Sequence, residues 1–186
     1  AESMGVRVMS IGFFVAASNA MVWRGPMAGN ALRQMIHQTL WGELDFLLVD
    51  LPPGTGDVHL SVLGEMKFAG AVIVSTPQRL AVADARRGVE MFRSKGIDVP
   101  VWGIVENMAW FTPAELPDSR YYIFGRGGAR QFAQDEGIDF LGEIPLEMSV
   151  VDSGEGGLPS QGLKTGVKPY VGAIVAAIVE KATTKC

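Results

Sequence analysis

The sequence predicts an α/β fold, a parallel sheet flanked by helices, on three observations. Apolar strand-like runs alternate with helix-like stretches along the whole chain, a pattern that favours a parallel sheet over separate layers. The run Phe46, Leu47, Leu48, Val49 is apolar at consecutive positions, as in a strand covered by helices on both faces. Asp50 follows it directly, and Pro52, Pro53, Gly54, Thr55 and Gly56 then make a tight turn that ends on Asp57.

Taken in order, the expected strands are Arg7–Ile11, Phe46–Asp50, Ala71–Ser75, Val101–Val105 and Phe140–Glu143, each bounded by Gly, Pro or charge. A first helix is expected from Pro26, which suits a first turn, to about Leu40, with Ala31, Met35 and Ile36 on one apolar face. Asp57 is placed to cap a helix Val58–Lys67, and further helices are expected over Leu80–Lys95, Gly125–Gly137 and Lys168–Lys181. Thr112–Tyr121 and Asp152–Gly166 are rich in Pro, Gly, Ser and Asp and read as surface loops. With no linker and no internal repeat, residues 1–186 read as a single domain.

Composition narrows the function classes. The chain is 48% hydrophobic and 19% charged, ordinary globular usage, and its net charge of −4 argues against an extended nucleic-acid surface. No apolar run approaches the roughly 20 residues that cross a bilayer. A single cysteine, Cys186, excludes an intrachain disulfide and fits a reducing, cytoplasmic location.

The chemistry concentrates around Asp50. Ligands of open α/β sheets bind at the carboxyl ends of strands, where a carboxylate can hold Mg²⁺, usually through water, while the metal meets phosphate oxygens. Pro52 and Pro53 stiffen the exit, and Gly54 and Gly56 allow close approach of the backbone to a phosphate. A strand end followed by an ordinary turn gives the same residues, and helix capping alone explains Asp57. Gln78 ends the run Gly70–Gln78 near the same crevice, where a helix-start cap is equally consistent. Asn107 follows the run VWGIVE, and its amide can both donate to and accept from an adenine ring; asparagine is also a common turn former. Arg24 can pair with phosphate or carboxylate, though surface arginine is commoner. His37 and His59 have no metal-ligand spacing and read as structural. Among Trp23, Met27, Trp41, Met108, Trp110 and Phe111, only Trp110 and Phe111 are expected to be exposed, as a contact for a dimer or client.

The segment Trp41–Asp57, WGELDFLLVDLPPGTGD, resembles the signature of the Mrp/ApbC family, deviant P-loop ATPases related to MinD and nitrogenase iron protein. VMSIGF (Val8–Phe13), VWRGPM (Val22–Met27), GAVIVSTPQ (Gly70–Gln78), VENM (Val105–Met108), IFGRGGAR (Ile123–Arg130) and LGEIPL (Leu141–Leu146) fit the same family in the same order. The resemblance implies a P-loop NTPase fold, ATP and Mg²⁺ as ligands, a homodimer with ATP at its interface, and iron-sulfur client proteins. It further implies that Asp50 holds magnesium and acts with Asp57 in catalysis. Pro53, Gly54, Thr55 and Gly56 would follow the γ-phosphate, Asn107 would contact adenine, and Pro145 and Leu146 would wall the base. Two departures accompany it. No Gly-rich, lysine-bearing phosphate loop is present, so the chain reads as the carboxyl-terminal part of a longer ATPase, incomplete at its amino terminus and inactive alone; a shortened protein that has lost hydrolysis is the alternative. The Cys-x-x-Cys pair that many relatives carry is absent from Ala109–Tyr122, so stable binding of an iron-sulfur cluster is not expected. That absence favours a second function, a MinD-like nucleotide-dependent regulator or scaffold that binds no cluster.

Overall fold

A computed structural model describes residues 1–14, 25–157, 159–162 and 166–184. Trp23, Arg24, the side chain of Met27, and Cys186 lie outside the described residues. The chain divides into two compact units, Ala1–Lys67 and Phe68–Cys186.

In the first unit, β1 (Glu2–Ser3) and β2 (Val6–Arg7) pair antiparallel. Met4 and Gly5 join them, both with positive φ, the backbone hand that suits a two-residue hairpin turn. The expected strand Arg7–Ile11 is thereby corrected: the chain leaves the pair after Arg7, and Ile11–Phe13 winds into a 3₁₀ turn begun by Ser10, whose Oγ accepts from the Gly12 amide. Helix α1 (Gly25–His37) contains Pro26 in its first turn. The chain turns at its end with the Thr39 hydroxyl donating to the Met35 carbonyl and the Trp41 indole to that of Ile36. Helix α2 (Asp57–Glu65) packs on α1. Gly56, in extended backbone, is its N-cap, so Asp57 is the first helical residue rather than the cap; its charge there still complements the positive end of the helix.

Residues 46–50 form no strand, against expectation. Burial of an apolar run in a parallel sheet requires ladder partners for its backbone amides and carbonyls, and both sheets among the described residues exclude this segment. Phe46, Leu47 and Leu48 are exposed as a result, Leu48 by 86%.

The second unit is a three-stranded parallel sheet in the order β3 (Ala71–Ser75), β4 (Val101–Phe111), β5 (Phe140–Leu146). Helix α3 (Arg79–Arg93) connects the first pair and α4 (Gly128–Glu136) the second, and the two helices touch, as expected when successive crossovers share one hand and so one face of the sheet. Residues 102–106 of β4 are buried without interruption, which demands cover on both faces. Helix α7 (Lys168–Thr184) packs on β5 and β4, with Ile174 against the bare backbone of Gly142. In α4 the buried Ala129, Phe132 and Ala133 recur at helical spacing. The helix stops at Gly137, left-handed, whose amide bonds back to the last turn while that of Ile138 reaches the Ala133 carbonyl at 2.9 Å.

Two further corrections fall here. Strand β4 continues past Val105 to Phe111, because Met108 takes a left-handed φ of 54° and a bulge absorbs the change of register between Asn107 and Phe111. Part of the expected loop Asp152–Gly166 is helical, as α5 (Met148–Glu155) and α6 (Pro159–Gly162), which pack on each other. The run Met148–Asp152 holds no proline or glycine to stop a helix.

Candidate functional site

Within the first unit the candidate residues Asp50, Pro53, Gly54, Thr55, Gly56 and Asp57 are all exposed. Gly54 has a φ of 97°, a conformation that reserves the position for glycine. The turn is held from behind by His59, 3% exposed in the first turn of α2, whose Nε2 donates to the Pro52 carbonyl at 2.8 Å. A carbonyl only accepts, so the proton sits on Nε2 and the buried Nδ1 is left as an acceptor, with no partner among the described residues. This is the structural histidine the sequence predicts, and its bond ties the turn to the helix. The helix N-terminus and the glycine backbone present a surface suited to an anion, flanked by two exposed carboxylates suited to a hard cation. At the far end of α2, Glu65 accepts from Arg33 at 2.7 Å and contacts His37 at 3.1 Å. The Arg33 guanidinium, hydrogen-bonded to it, holds the Glu65 carboxyl below the usual carboxylate range against the opposing effect of desolvation, and Glu65 in turn raises Arg33.

Within the second unit the remaining candidates lie on or after the three strands: Gln78 follows β3, Asn107 is inside β4 rather than beyond its end, and Pro145 and Leu146 close β5. Gln78 is the exposed N-cap residue of α3; its side chain makes no capping bond but accepts from the Thr76 hydroxyl. Asn107 is half-buried, and its Oδ1 accepts from the Met108 amide at 2.9 Å, which leaves the Nδ2 donors for another partner. On the neighbouring strand end Pro145 is buried and Leu146 half-buried.

Trp110 is 5% exposed, and Phe111 half-buried, so the expected exposed pair is corrected. Both belong to β4. The Arg120 guanidinium lies 4.3 Å from the centre of the Trp110 ring, and Tyr170 of α7 meets the same ring edge-on at 5.4 Å. Phe111 and Tyr121 exchange two backbone bonds of 2.8 Å, which close residues 112–120 into a loop.

Sequence reasoning passed over Glu106. A carboxylate interrupting the apolar run VWGIVE was the available signal. It is 1% exposed, and accepts from the amides of Gly127 at 3.1 Å and Ala129 at 2.7 Å. A cavity of about 680 Å³ lined by Trp102, Ile138, Asp139, Phe140, Leu141 and Lys181 lies at the opposite, amino-terminal end of β4 and β5. Among the described residues no group of three or more His, Cys, Asp or Glu could hold a metal ion, and no helix is long and apolar enough to cross a membrane.

Residues 1–181 match the family model described as ParA, NUBPL iron-transfer P-loop NTPase. An iron-sulfur cluster carrier protein of Synechocystis sp. is 44% identical over 155 residues, 83% of this chain and 43% of that protein. The iron-sulfur cluster transfer protein NUBPL of Dictyostelium discoideum is 45% identical over 158 residues, 85% of this chain and 48% of its own length. An iron-sulfur cluster carrier protein of Deinococcus radiodurans reaches 48% over 161 residues, 86% of this chain and 44% of its own. The chain thus spans about half the length of the curated relatives it matches. A solved nucleotide-binding protein from Archaeoglobus fulgidus, in complex with ADP, superposes with a TM-score of 0.66 at 38% identity, covering 76% of this chain and 56% of that one.

Proposed function

Because this chain belongs to the ParA family of NUBPL-type iron-transfer P-loop NTPases, we propose that it is the carboxyl-terminal portion of a single ATPase domain, in a cytoplasmic protein that binds MgATP, dimerises, and carries iron-sulfur clusters to client proteins. The observation that carries this reading is the coincidence of two things. Relatives covering more than four-fifths of the chain are named as iron-sulfur cluster carriers or transfer proteins, and the chain presents a glycine turn between two exposed carboxylates at a helix N-terminus.

In this reading Asp50 accepts from the waters around the cation. A bound Mg²⁺ would neutralise charge on the terminal phosphates. The backbone from Pro53 to Gly56 lies against the γ-phosphate and relaxes when it leaves, as γ-phosphate contacts order switch segments generally. His59 grips the Pro52 carbonyl, so a displacement of the turn reaches α2, and the Glu65 bonds to Arg33 and His37 pass it to α1. Asp57 orients the attacking water. Asn107 offers its Nδ2 donors to the base, Gln78 stands near the phosphates, and Pro145 and Leu146 wall the adenine. The phosphate-cradling amides and lysine come from sequence outside this chain, so residues 1–186 alone turn over no ATP; magnesium-dependent turnover that disappears in Asp50→Ala would overturn that point. In the full-length protein Asp50→Asn lowers turnover by about 100-fold, as loss of one group stabilising transition-state charge does, and weakens MgATP without weakening metal-free ATP. Equal affinities of wild type and variant for MgATP would refute the assignment.

One observation favours a nucleotide-switched regulator that binds no cluster: the span 109–122 contains no cysteine and its loop is closed by backbone pairing. Anaerobic reconstitution with iron and sulfide, read by absorption spectrum and metal count, separates the two. Retained cluster supports the carrier.

A further inference from the structure

Glu106 is a carboxylate in the middle of the central strand, and among the described residues no ion pair neutralises it. An uncompensated buried charge is costly. What stabilises it is the N-terminus of α4, where its two oxygens accept from the N-cap residue Gly127 and from Ala129, with the positive end of the helix dipole behind them. Gly127 is left-handed and has no side chain to cap the helix, so the cap comes from another element. The same turn is pinned on its other side, where Gly128 lies so close to the Pro77 carbonyl oxygen that a Cβ would collide with it. Pro77 follows β3 and Glu106 lies within β4, so the start of α4 is held between the exit of one strand and the middle of the next.

By sequence the stretch GRGG before a helix has the form of a phosphate-binding turn. Within it the Gly125 amide donates to the Tyr122 carbonyl at 3.2 Å and the Gly127 amide to Glu106, which also takes the amide of Ala129 in the first turn of the helix. We propose that Glu106 is a positioning residue that occupies the anion site of α4 from within, closes residues 125–128 to phosphate, and fixes the adjoining Asn107 for contact with a base. The last part rests on the nucleotide reading given above; the first two do not.

The test uses amide NMR on residues 1–186 and nucleotide binding to the full-length protein. Added inorganic phosphate leaves the Gly127 and Ala129 amide signals of the wild type in place, whereas in Glu106→Ala phosphate or acetate shifts them saturably. Phosphate-induced shifts of those signals in the wild type, or none in a folded Glu106→Ala, would overturn the proposal. If Glu106→Ala does not fold, the near-isosteric Glu106→Gln decides. It must move the Gly127, Ala129 and Asn107 side-chain signals, and unmoved signals refute the role. In the full-length protein Glu106→Gln weakens ADP about tenfold, the worth of roughly one hydrogen bond, and leaves pyrophosphate binding unchanged. Equal weakening of both ligands identifies a general structural role and overturns the positioning. Asn107→Ala with unaltered ADP affinity would remove the base contact alone, and leave the occupied helix end standing on the amide signals.

Discussion

Glu65 stands between Arg33 and His37, and the sign of its contribution follows from the depressed carboxyl. A folded-state value below the unfolded one, about 4.3 for glutamate, means stabilisation that is complete above the unfolded value and lost as pH falls through the folded one. A carboxyl-carbon NMR titration of Arg33→Ala is expected to move the Glu65 midpoint upward, and the variant's stability should fall less on acidification than that of the wild type. Two glycines make an opposed pair at the same scale. At Gly128 a methyl meets fixed backbone, so Gly128→Ala should destabilise by about 1–3 kcal/mol, the usual cost of overpacking. At Gly88, inside α3, the nearest atom to an added Cβ is the Ile73 Cδ1 at 3.8 Å, an ordinary contact, and Gly88→Ala should stabilise by up to about 1 kcal/mol through helix propensity. Urea unfolding of the two variants measures both.

At the scale of elements, α4 buries Ala129, Phe132 and Ala133, with Phe132 1% exposed beneath the Arg86 guanidinium, which lies 4.8 Å from the ring centre. Phe132→Ala should cost about 3–5 kcal/mol, read as a fall in the urea midpoint. Elements whose apolar residues face neighbours close in sequence were legible: β3 holds its expected bounds, α3 and α4 lie within a few residues of theirs, and α7 extends beyond its expected end. Elements that depend on something non-local were not. Phe46–Asp50 has the composition of a buried strand, yet pairing is a property of two strands, and its own residues cannot supply the second. The length of β4 turns on a single left-handed methionine, for which side-chain type gives no warning. Of the candidate site, Asn107 is expected just after its strand but lies inside β4, in register with Ile144 of β5, whose last residues are Pro145 and Leu146. Glu106 escaped because a charge beside a strand end is ordinary, and only the tertiary approach of a helix N-terminus makes it informative.

For the whole molecule, the proposal of a nucleotide-driven carrier predicts a change of mass rather than of secondary structure. Sedimentation velocity of the full-length protein should show a dimer with MgATP and a lighter species without it, and Asp50→Ala should stay light in both; a wild type insensitive to nucleotide would exclude the switch. Family membership covers residues 1–181, and the chain spans about half the length of the relatives it matches. The paired backbones of Phe111 and Tyr121 bear on the question of cargo in another way. Because the ends of residues 112–120 are tied to each other, that stretch is a cassette: its contents can be exchanged with little strain on the sheet beneath. Transplanting a thiol-bearing segment of equal length that keeps Arg120 over the Trp110 ring should therefore leave the urea midpoint nearly unmoved, and it offers a direct route to ask whether chelating capacity, gained at this one spot, is enough to load iron and sulfide onto the scaffold.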